Sequence, residues 1–164
     1  MLGSGTSVLR IPDFSNNLTP EQKEHWLLWI AALKSSEYVQ ARNNLRASDG
    51  YCCLGVAGDV VVKKGLAGWT GSDARCNSLI MEGDIQTTVL GEGMLKLYGL
   101  PSPLGFVVKI IPARKGGHDE ASLATLNDSR AATFSEIAEI LEIALAGGLE
   151  LEPSDNINPS SLTP

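Results

Sequence analysis

The segment from Asp49 to Gly65 restricts the possible folds of this chain more than any other stretch. Apolar or weakly polar side chains occupy most of its positions, namely Tyr51, Cys52, Cys53, Leu54, Val56, Ala57, Val60, Val61 and Val62. A helix that is apolar around so much of its circumference cannot lie half-exposed on a surface. The pattern therefore predicts a buried helix at about 50–64, with Asp49 as its N-cap and Gly65 as its left-handed stop.

Two glycines lie inside this predicted helix. Gly55 and Gly58 each lower the helix propensity by about 1 kcal/mol relative to alanine. We expect the compensation to be a close approach by another backbone or by a ligand, and simple packing is the alternative.

Capping signals and apolar periodicity predict the remaining elements. Thr19-Pro20-Glu21-Gln22 and Thr133-Phe-Ser-Glu136 read as capping boxes that open helices at 20–34 and 134–146. Short helices are expected at 94–98 and 121–128, and strands at 85–90 and 105–111. The expected fold class is α+β, with three main helices, the central one buried, packed on a small β-sheet.

The chain length indicates one domain with loose ends. Its 164 residues suffice for a single core. We expect a flexible N-terminal segment at 1–17, in which Val8 to Phe14 lie along the body, and a single globular α+β domain at 18–148. The Pro, Ser and Asn content of 149–164 predicts a disordered C-terminal tail.

Charge and cysteine usage limit the partners. A formal net charge of -6 disfavours long nucleic acids, whose affinity comes largely from phosphate contacts, although a few arginines can still hold a small phosphorylated ligand. The three cysteines include an adjacent pair and make no disulfide framework, so a reducing compartment is expected. With no secretory signal and no run of about 20 apolar residues, we expect a cytoplasmic protein without membrane association.

Three regions carry candidate binding residues. Arg42, Asn43, Asn44 and Arg46 precede the central helix and can hydrogen-bond an anionic ligand, or form a solvated connector. Trp69 is flanked by glycines and suits either a stacking platform or a satellite core.

The loop 113–120 contains a third group, Arg114, Lys115 and His118 around Gly116-Gly117. It can close on a phosphate or carboxylate, or serve as a plain charged loop. Asn127 and Asp128 add polar groups, and Arg75 adds another cation.

Catalytic and metal motifs are missing from the sequence. It contains no P-loop, no HExxH and no nucleophile elbow. A zinc site would need Cys52, Cys53, Cys76, His25 or His118 to converge without any CxxC pair, so no metal or cofactor is expected. A cysteine enzyme remains an alternative, with the pKa of Cys52 lowered near a helix N-terminus and His118 as base.

Four motifs together resemble a group of small proteins from tailed phages and prophages. They are Trp29-Ile-Ala-Ala-Leu33, Tyr51-Cys-Cys-Leu-Gly-Val56, Leu126-Asn-Asp128 and Phe134-Ser-Glu-Ile-Ala138. The hexapeptide is the distinctive one. The resemblance implies a phage origin and an accessory role such as countering host defence.

The leading hypothesis is a non-catalytic binding protein that sequesters a small anionic nucleotide-like immune signal, in the host cytoplasm if the chain is phage-encoded. Trp69 or Tyr51 would stack on a base. Phosphates would contact a set of cations, namely Arg42, Arg75, Arg114 and Lys115. A homo-oligomer would enclose such a ligand. The alternatives are an inhibitor of a host or phage protein and the cysteine-dependent enzyme.

Overall fold

The computed structural model describes residues 7–70, 77–111, 119–130 and 132–151, and their fold is α+β as predicted. The helices are α1 (Pro20–Lys34), α2 (Cys53–Lys63), α3 (Glu92–Tyr98), α4 (Leu123–Asp128) and α5 (Phe134–Leu145). The strands are β1 (Ser7–Ile11), β2 (Arg46–Ala47), β3 (Gly50–Tyr51), β4 (Gly68–Thr70), β5 (Ser78–Met81), β6 (Asp84–Gln86), β7 (Val107–Ile111), β8 (Asp119–Ser122) and β9 (Leu149–Glu150).

The strands form three antiparallel groups. A four-stranded sheet has the order β8-β7-β1-β9, a three-stranded sheet has the order β4-β5-β6, and β2 and β3 form a short hairpin. Helix α1 packs against α2, α3 and α5. None of the helices in the described ranges has the length and apolar character needed to cross a lipid bilayer.

Helix α2 is the predicted buried helix. Every residue from Cys53 to Val61 is buried. Its backbone carbonyls bind the aromatic side chains around it: Trp29 Nε1 donates to the Cys53 carbonyl at 2.9 Å, and the Tyr98 hydroxyl donates to the Ala57 carbonyl at 2.7 Å. These bonds satisfy the polar groups of the rings, which would otherwise be costly to bury.

The N-terminus of α2 differs from the prediction. Asp49 is not its N-cap, because Gly50 and Tyr51 pair with β2 and leave Asp49 in the turn of that hairpin. The helix begins at Cys53, and the Cys52 Sγ accepts a hydrogen bond from the Gly55 N–H at 3.3 Å. The predicted stop at Gly65 is confirmed by its left-handed φ of 80°.

Both predicted capping boxes are confirmed. The Thr19 hydroxyl accepts from the Gln22 N–H at 3.1 Å, and the Gln22 side chain accepts from the Thr19 N–H at 2.8 Å. Thr133 and Glu136 make the same reciprocal pair at 3.2 and 2.9 Å. These local signals mark the starts of α1 and α5.

Strand pairing accounts for several differences from the sequence-based elements. Ser7–Ile11, expected within the flexible segment 1–17, lies between β7 and β9 because its Leu9 and Ile11 side chains are buried. Strand β9 lies beyond 148, and the rest of the predicted tail, from 152 onward, is outside the described residues. The helix predicted at 121–128 begins only at Leu123, since β8 occupies the residues before it, and the strand predicted at 85–90 is only Asp84–Gln86.

The expected close approach at Gly55 is a backbone contact. A Cβ at Gly55 would lie 1.7 Å from the Leu45 carbonyl oxygen, a distance that no side chain can adopt. Gly58 instead faces the Leu79 side chain. A Cβ built on Gly58 would lie 3.0 Å from the nearest methyl carbon of Leu79. Glycine at position 55 therefore allows the Leu45 backbone to lie directly on α2.

We expect Gly55→Ala to lower the free energy of unfolding by about 3 kcal/mol or more, because the Leu45 backbone must move to admit the methyl group. Gly68→Ala is the matched control, since no atom lies within 4 Å of a Cβ built there, and it should stay within about 0.5 kcal/mol. Urea denaturation measures both. Equal stability of the two variants would contradict the backbone contact.

Candidate ligand-binding site

Three aromatic side chains and three charged ones meet beside α2, and we call them the aromatic–cation cluster. Its members are Tyr38, Arg46, Tyr51, Asp59, Lys63 and Trp69. They come from the segment after α1, from β2, β3 and β4, and from adjacent turns of α2. The β2–β3 hairpin and the short β4 strand thus bring residues far apart in sequence to one face of the central helix.

The three rings of the cluster are steeply inclined to one another. The Tyr38 and Tyr51 ring centroids lie 5.0 Å apart at 89°, and the Tyr51 and Trp69 centroids lie 5.9 Å apart at 66°. All three side chains are partly exposed. The Arg46 Cζ atom lies 5.3 Å from the Tyr51 centroid and 5.5 Å from the Trp69 centroid, within the range of a cation–π contact.

Asp59 is the polar centre of the cluster. Only 8% of this residue is exposed, and its carboxylate accepts hydrogen bonds from the Tyr38 hydroxyl at 2.5 Å and from Trp69 Nε1 at 2.9 Å. Burial, followed by the hydrogen bond to Asp59, raises the pKa of Tyr38 to about 12. Burial also raises the pKa of Tyr51. Both phenols are therefore neutral near neutral pH, and Asp59 fixes the orientation of two of the rings.

A groove of about 340 Å³ adjoins the cluster between α1 and α2. Leu28, Ala31, Ala32 and Val60 contribute its apolar lining, and Lys64 is one of its cations. Tyr38 and Lys63 belong to both the groove and the aromatic–cation cluster. Lys63 forms an ion pair with Glu37 at 3.3 Å, and Lys64 forms one with Glu24 at 3.6 Å. These exposed pairs are weak, so an anionic ligand can displace the carboxylates.

The predicted site residues Asn127 and Asp128 lie at a second junction. Asn127 Oδ1 accepts from Gln40 Nε2 at 2.8 Å and from the Cys53 N–H at 3.1 Å. Asn127 Nδ2 donates to the Ala41 carbonyl at 2.9 Å and to Asp128 Oδ1 at 2.8 Å. Groups of the chain itself satisfy the hydrogen-bonding capacity of this amide, so in this conformation Asn127 has a structural role.

Arg42 and Asn43 belong to this second junction. The Asn43 N–H donates to Asp128 Oδ1 at 3.0 Å, and its left-handed φ of 73° is one that asparagine tolerates. Arg42 lines a cleft of about 140 Å³ with Gln40, Asn127 and Ala132. Of the predicted binding residues, the structure thus brings Arg46, Tyr51 and Trp69 together in the aromatic–cation cluster. Arg42, Asn43, Asn127 and Asp128 meet elsewhere. Arg75, Arg114, Lys115 and His118 lie outside the described residues and stay predictions.

Sequence reasoning missed three members of the cluster, namely Tyr38, Asp59 and Lys63. Asp59 is the one acidic residue within α2, and Lys63 follows it at the i+4 position. A lone acid inside a buried apolar helix must find donors, because an unpaired buried carboxylate is very costly. The sequence signal for the cluster was therefore Asp59 itself, since an acid within a buried apolar helix predicts hydrogen-bond donors around it.

The two thiols at the start of α2, Cys52 at the N-cap and Cys53 at the first helical position, lack the environment of a nucleophile. Burial raises the pKa of Cys52 to about 11 and raises that of Cys53 well above its ordinary value. These shifts are opposite to the lowering that the cysteine-enzyme hypothesis requires for Cys52. Within the part of the chain that the structure describes, no three His, Cys, Asp or Glu side chains gather as metal ligands.

A family model described as Domain of unknown function (DUF8296) matches residues 19–92, which is under half of the chain. The matched region runs from the cap of α1 to the start of α3 and contains the whole aromatic–cation cluster. No curated protein and no solved structure matches the chain.

We expect the α2 thiols to be unreactive in the folded protein. In a Cys76→Ser variant, Cys52 and Cys53 should resist a disulfide reagent at about pH 8, because the folded pKa of Cys52 is about 11 against its ordinary 9.0. Full reaction in denaturant is the control. Because the folded state binds the Cys52 proton more tightly than the unfolded state, the contribution of Cys52 to the free energy of unfolding is fully present below pH 9.0. It is lost as the pH rises from 9.0 to about 11. Rapid labelling of the native protein would contradict this assignment.

Proposed function

We propose that this chain is a non-catalytic binding protein for a small anionic ligand with a planar ring, of the nucleotide type. The observation that supports the proposal is the position of Arg46 over both Tyr51 and Trp69. A ring that stacks on one of these aromatics lies next to a guanidinium group that can bind a phosphate through two N–H donors.

The cations of the groove extend this arrangement. Lys63 and Lys64 line one side of an opening whose volume, about 340 Å³, lies within the range of small-molecule sites. A ligand that stacks at Tyr38 can therefore place a second anionic group against these lysines. The local positive charge is compatible with the net charge of -6, because short-range contacts rather than the overall charge hold a small ligand.

Sequestration and assembly are further parts of the proposal. The phage resemblance suggests that the ligand is a nucleotide immune signal, and tight binding without turnover would remove it from the host. The groove is open on one side, so a second copy of the chain would bury the ligand more completely. This is the reason to propose a homo-oligomer.

A protein partner is the second candidate. Leu28 on α1 lines the groove and is 41% exposed, and the preceding Leu27 is 60% exposed. An exposed apolar side chain at the edge of an apolar groove favours a protein contact. Stoichiometric co-purification of one host or phage protein without a small ligand would select this function.

For the binding proposal we expect Arg46→Gln and Trp69→Leu each to weaken nucleotide binding at least tenfold, since each removes a charge-assisted bond or a stacking surface. Isothermal titration calorimetry with cyclic mononucleotides, cyclic dinucleotides and ADP-ribose measures the affinity of each variant. Native mass spectrometry gives the number of subunits. Quenching of Trp69 fluorescence is an independent readout, because Trp26 and Trp29 are fully buried.

The matched control is Lys96→Gln, which removes one positive charge from α3 outside the cluster. It should leave the affinity within about twofold, since an exposed charge outside the site contributes little. The proposal would be abandoned if no member of the panel bound the wild-type chain, or if the control weakened binding as much as Arg46→Gln did.

A further inference from the structure

We propose a second ligand site, beside strands β1 and β7 of the four-stranded sheet, that binds an organic monocarboxylate with an apolar body. The site is a cleft of about 350 Å³ in which two cations stand beside aromatic and proline side chains. Its residues belong to β1, β7, β8 and the connections around them, so it shares no residue with the aromatic–cation cluster.

The apolar part of the cleft is built from side chains already fixed by the core. Phe14 and Phe106 line it, and their ring centroids lie 5.1 Å apart. Phe106 also stacks on Trp26, with 5.9 Å between centroids and an interplanar angle of 2°. Pro12, Pro101, the 45% exposed Val107 and the buried Val108 also line the cleft. A rigid apolar wall of this kind needs little reorganisation to accept a hydrocarbon group.

A β-bulge directs the first cation into the cleft. Val8 pairs with the inward-facing Ile110, so regular pairing would place Arg10 opposite the buried Val108. The register shifts by one residue between Val8 and Arg10, and Arg10 therefore pairs with Lys109, on the outer face. A shift of one residue exchanges the two faces of a strand. The bulge thus sets two positive side chains directly opposite each other.

Like charges at directly opposed positions of an antiparallel pair repel each other, with Cβ atoms about 5 Å apart. Glu120 is opposite Lys109 in β8, and Glu150 is opposite Arg10 in β9. Nevertheless, within the described ranges no carboxylate oxygen lies within the 4.0 Å ion-pair distance of either cation. An anion that binds between Arg10 and Lys109 would relieve their repulsion.

The charges of the lining select the class of anion. Arg10 and Lys109 supply two positive charges, and Glu120, which also lines the cleft, supplies one negative charge. The lining alone therefore carries a net charge of +1, because Glu150, although opposite Arg10 in β9, does not line the cleft. A single positive charge suits a monocarboxylate better than a phosphate dianion, which Glu120 would repel. The planar fork of Arg10 suits a carboxylate, whose two oxygens it can bind together. The adjacent phenylalanines favour an acid with an aromatic or aliphatic body.

The test uses the full chain, ¹⁵N-labelled, with phenylpropionate as probe. We expect saturable shifts of the backbone amides of Arg10, Lys109 and Ser102, and a Kd at least tenfold higher for Arg10→Gln, because the fork that binds the carboxylate is lost. The double variant Arg10→Gln, Lys109→Gln should abolish saturation. Phenylpropanol, which has the same body without the charge, should not saturate, and inorganic phosphate should not compete.

Lys34→Gln is the matched control, since it removes a positive charge from α1, where Lys34 pairs with Glu142 of α5. It should leave the Kd within about twofold, and a dispersed spectrum for each variant shows that it is folded. The site is refuted if phenylpropionate causes no saturable shift up to about 10 mM, if phenylpropanol binds as well, if phosphate competes, or if Arg10→Gln and Lys34→Gln behave alike. Nucleotide binding by the aromatic–cation cluster does not enter any of these outcomes.

Discussion

The Cys53 residue is held on both sides by side chains from distant parts of the chain, and the rest of the fold depends on this attachment. Its N–H donates to Asn127 of α4 at 3.1 Å, and its carbonyl accepts from Trp29 of α1 at 2.9 Å. The first N–H groups of a helix have no partner within the helix, so a buried helix start needs such an external acceptor. Asn127 provides it, and α2 can therefore begin in the core rather than at the surface.

The same attachment explains the structural role of three of the sequence motifs. The Trp29 motif, the Tyr-Cys-Cys hexapeptide and the Leu-Asn-Asp motif meet at Cys53 through these two hydrogen bonds. Their most distinctive residues are thus structural, with both thiols buried and their pKa values raised. In this hexapeptide the side chain that belongs to the proposed binding site is Tyr51, which lies just outside the buried helix in the aromatic–cation cluster.

Sequence reasoning succeeded where the signal was local. The capping boxes at Thr19 and Thr133 and the apolar character of α2 each depend on a few neighbouring residues, and each was predicted correctly. The start of α2 was missed because the β2–β3 hairpin competes for Gly50 and Tyr51. Strand β1 was missed because only its pairing with β7 and β9 makes it a strand.

The site was less predictable than the fold for the same reason. Either Trp69 or Tyr51 was expected to stack on a ligand, and the structure places their rings 5.9 Å apart. The cation that contacts both rings, Arg46, was only one of several arginines in the sequence, and its selection follows from its place in β2. Whether a basic side chain meets an aromatic ring depends on strand register, which a single sequence does not specify in hairpins this short.

Asp59 connects the buried helix to the exposed cluster. Its carboxylate lies on α2, nearly buried, yet both of its strong hydrogen bonds go to rings at the surface, Tyr38 and Trp69. A carboxylate in that position costs free energy unless its donors stay in place, so the core in effect selects one orientation for each ring. Ring faces that are held in this way lose little conformational entropy when a ligand stacks on them. A polar residue inside an otherwise apolar helix therefore serves the surface of the molecule, and this is a physical reason for an acid at position 59.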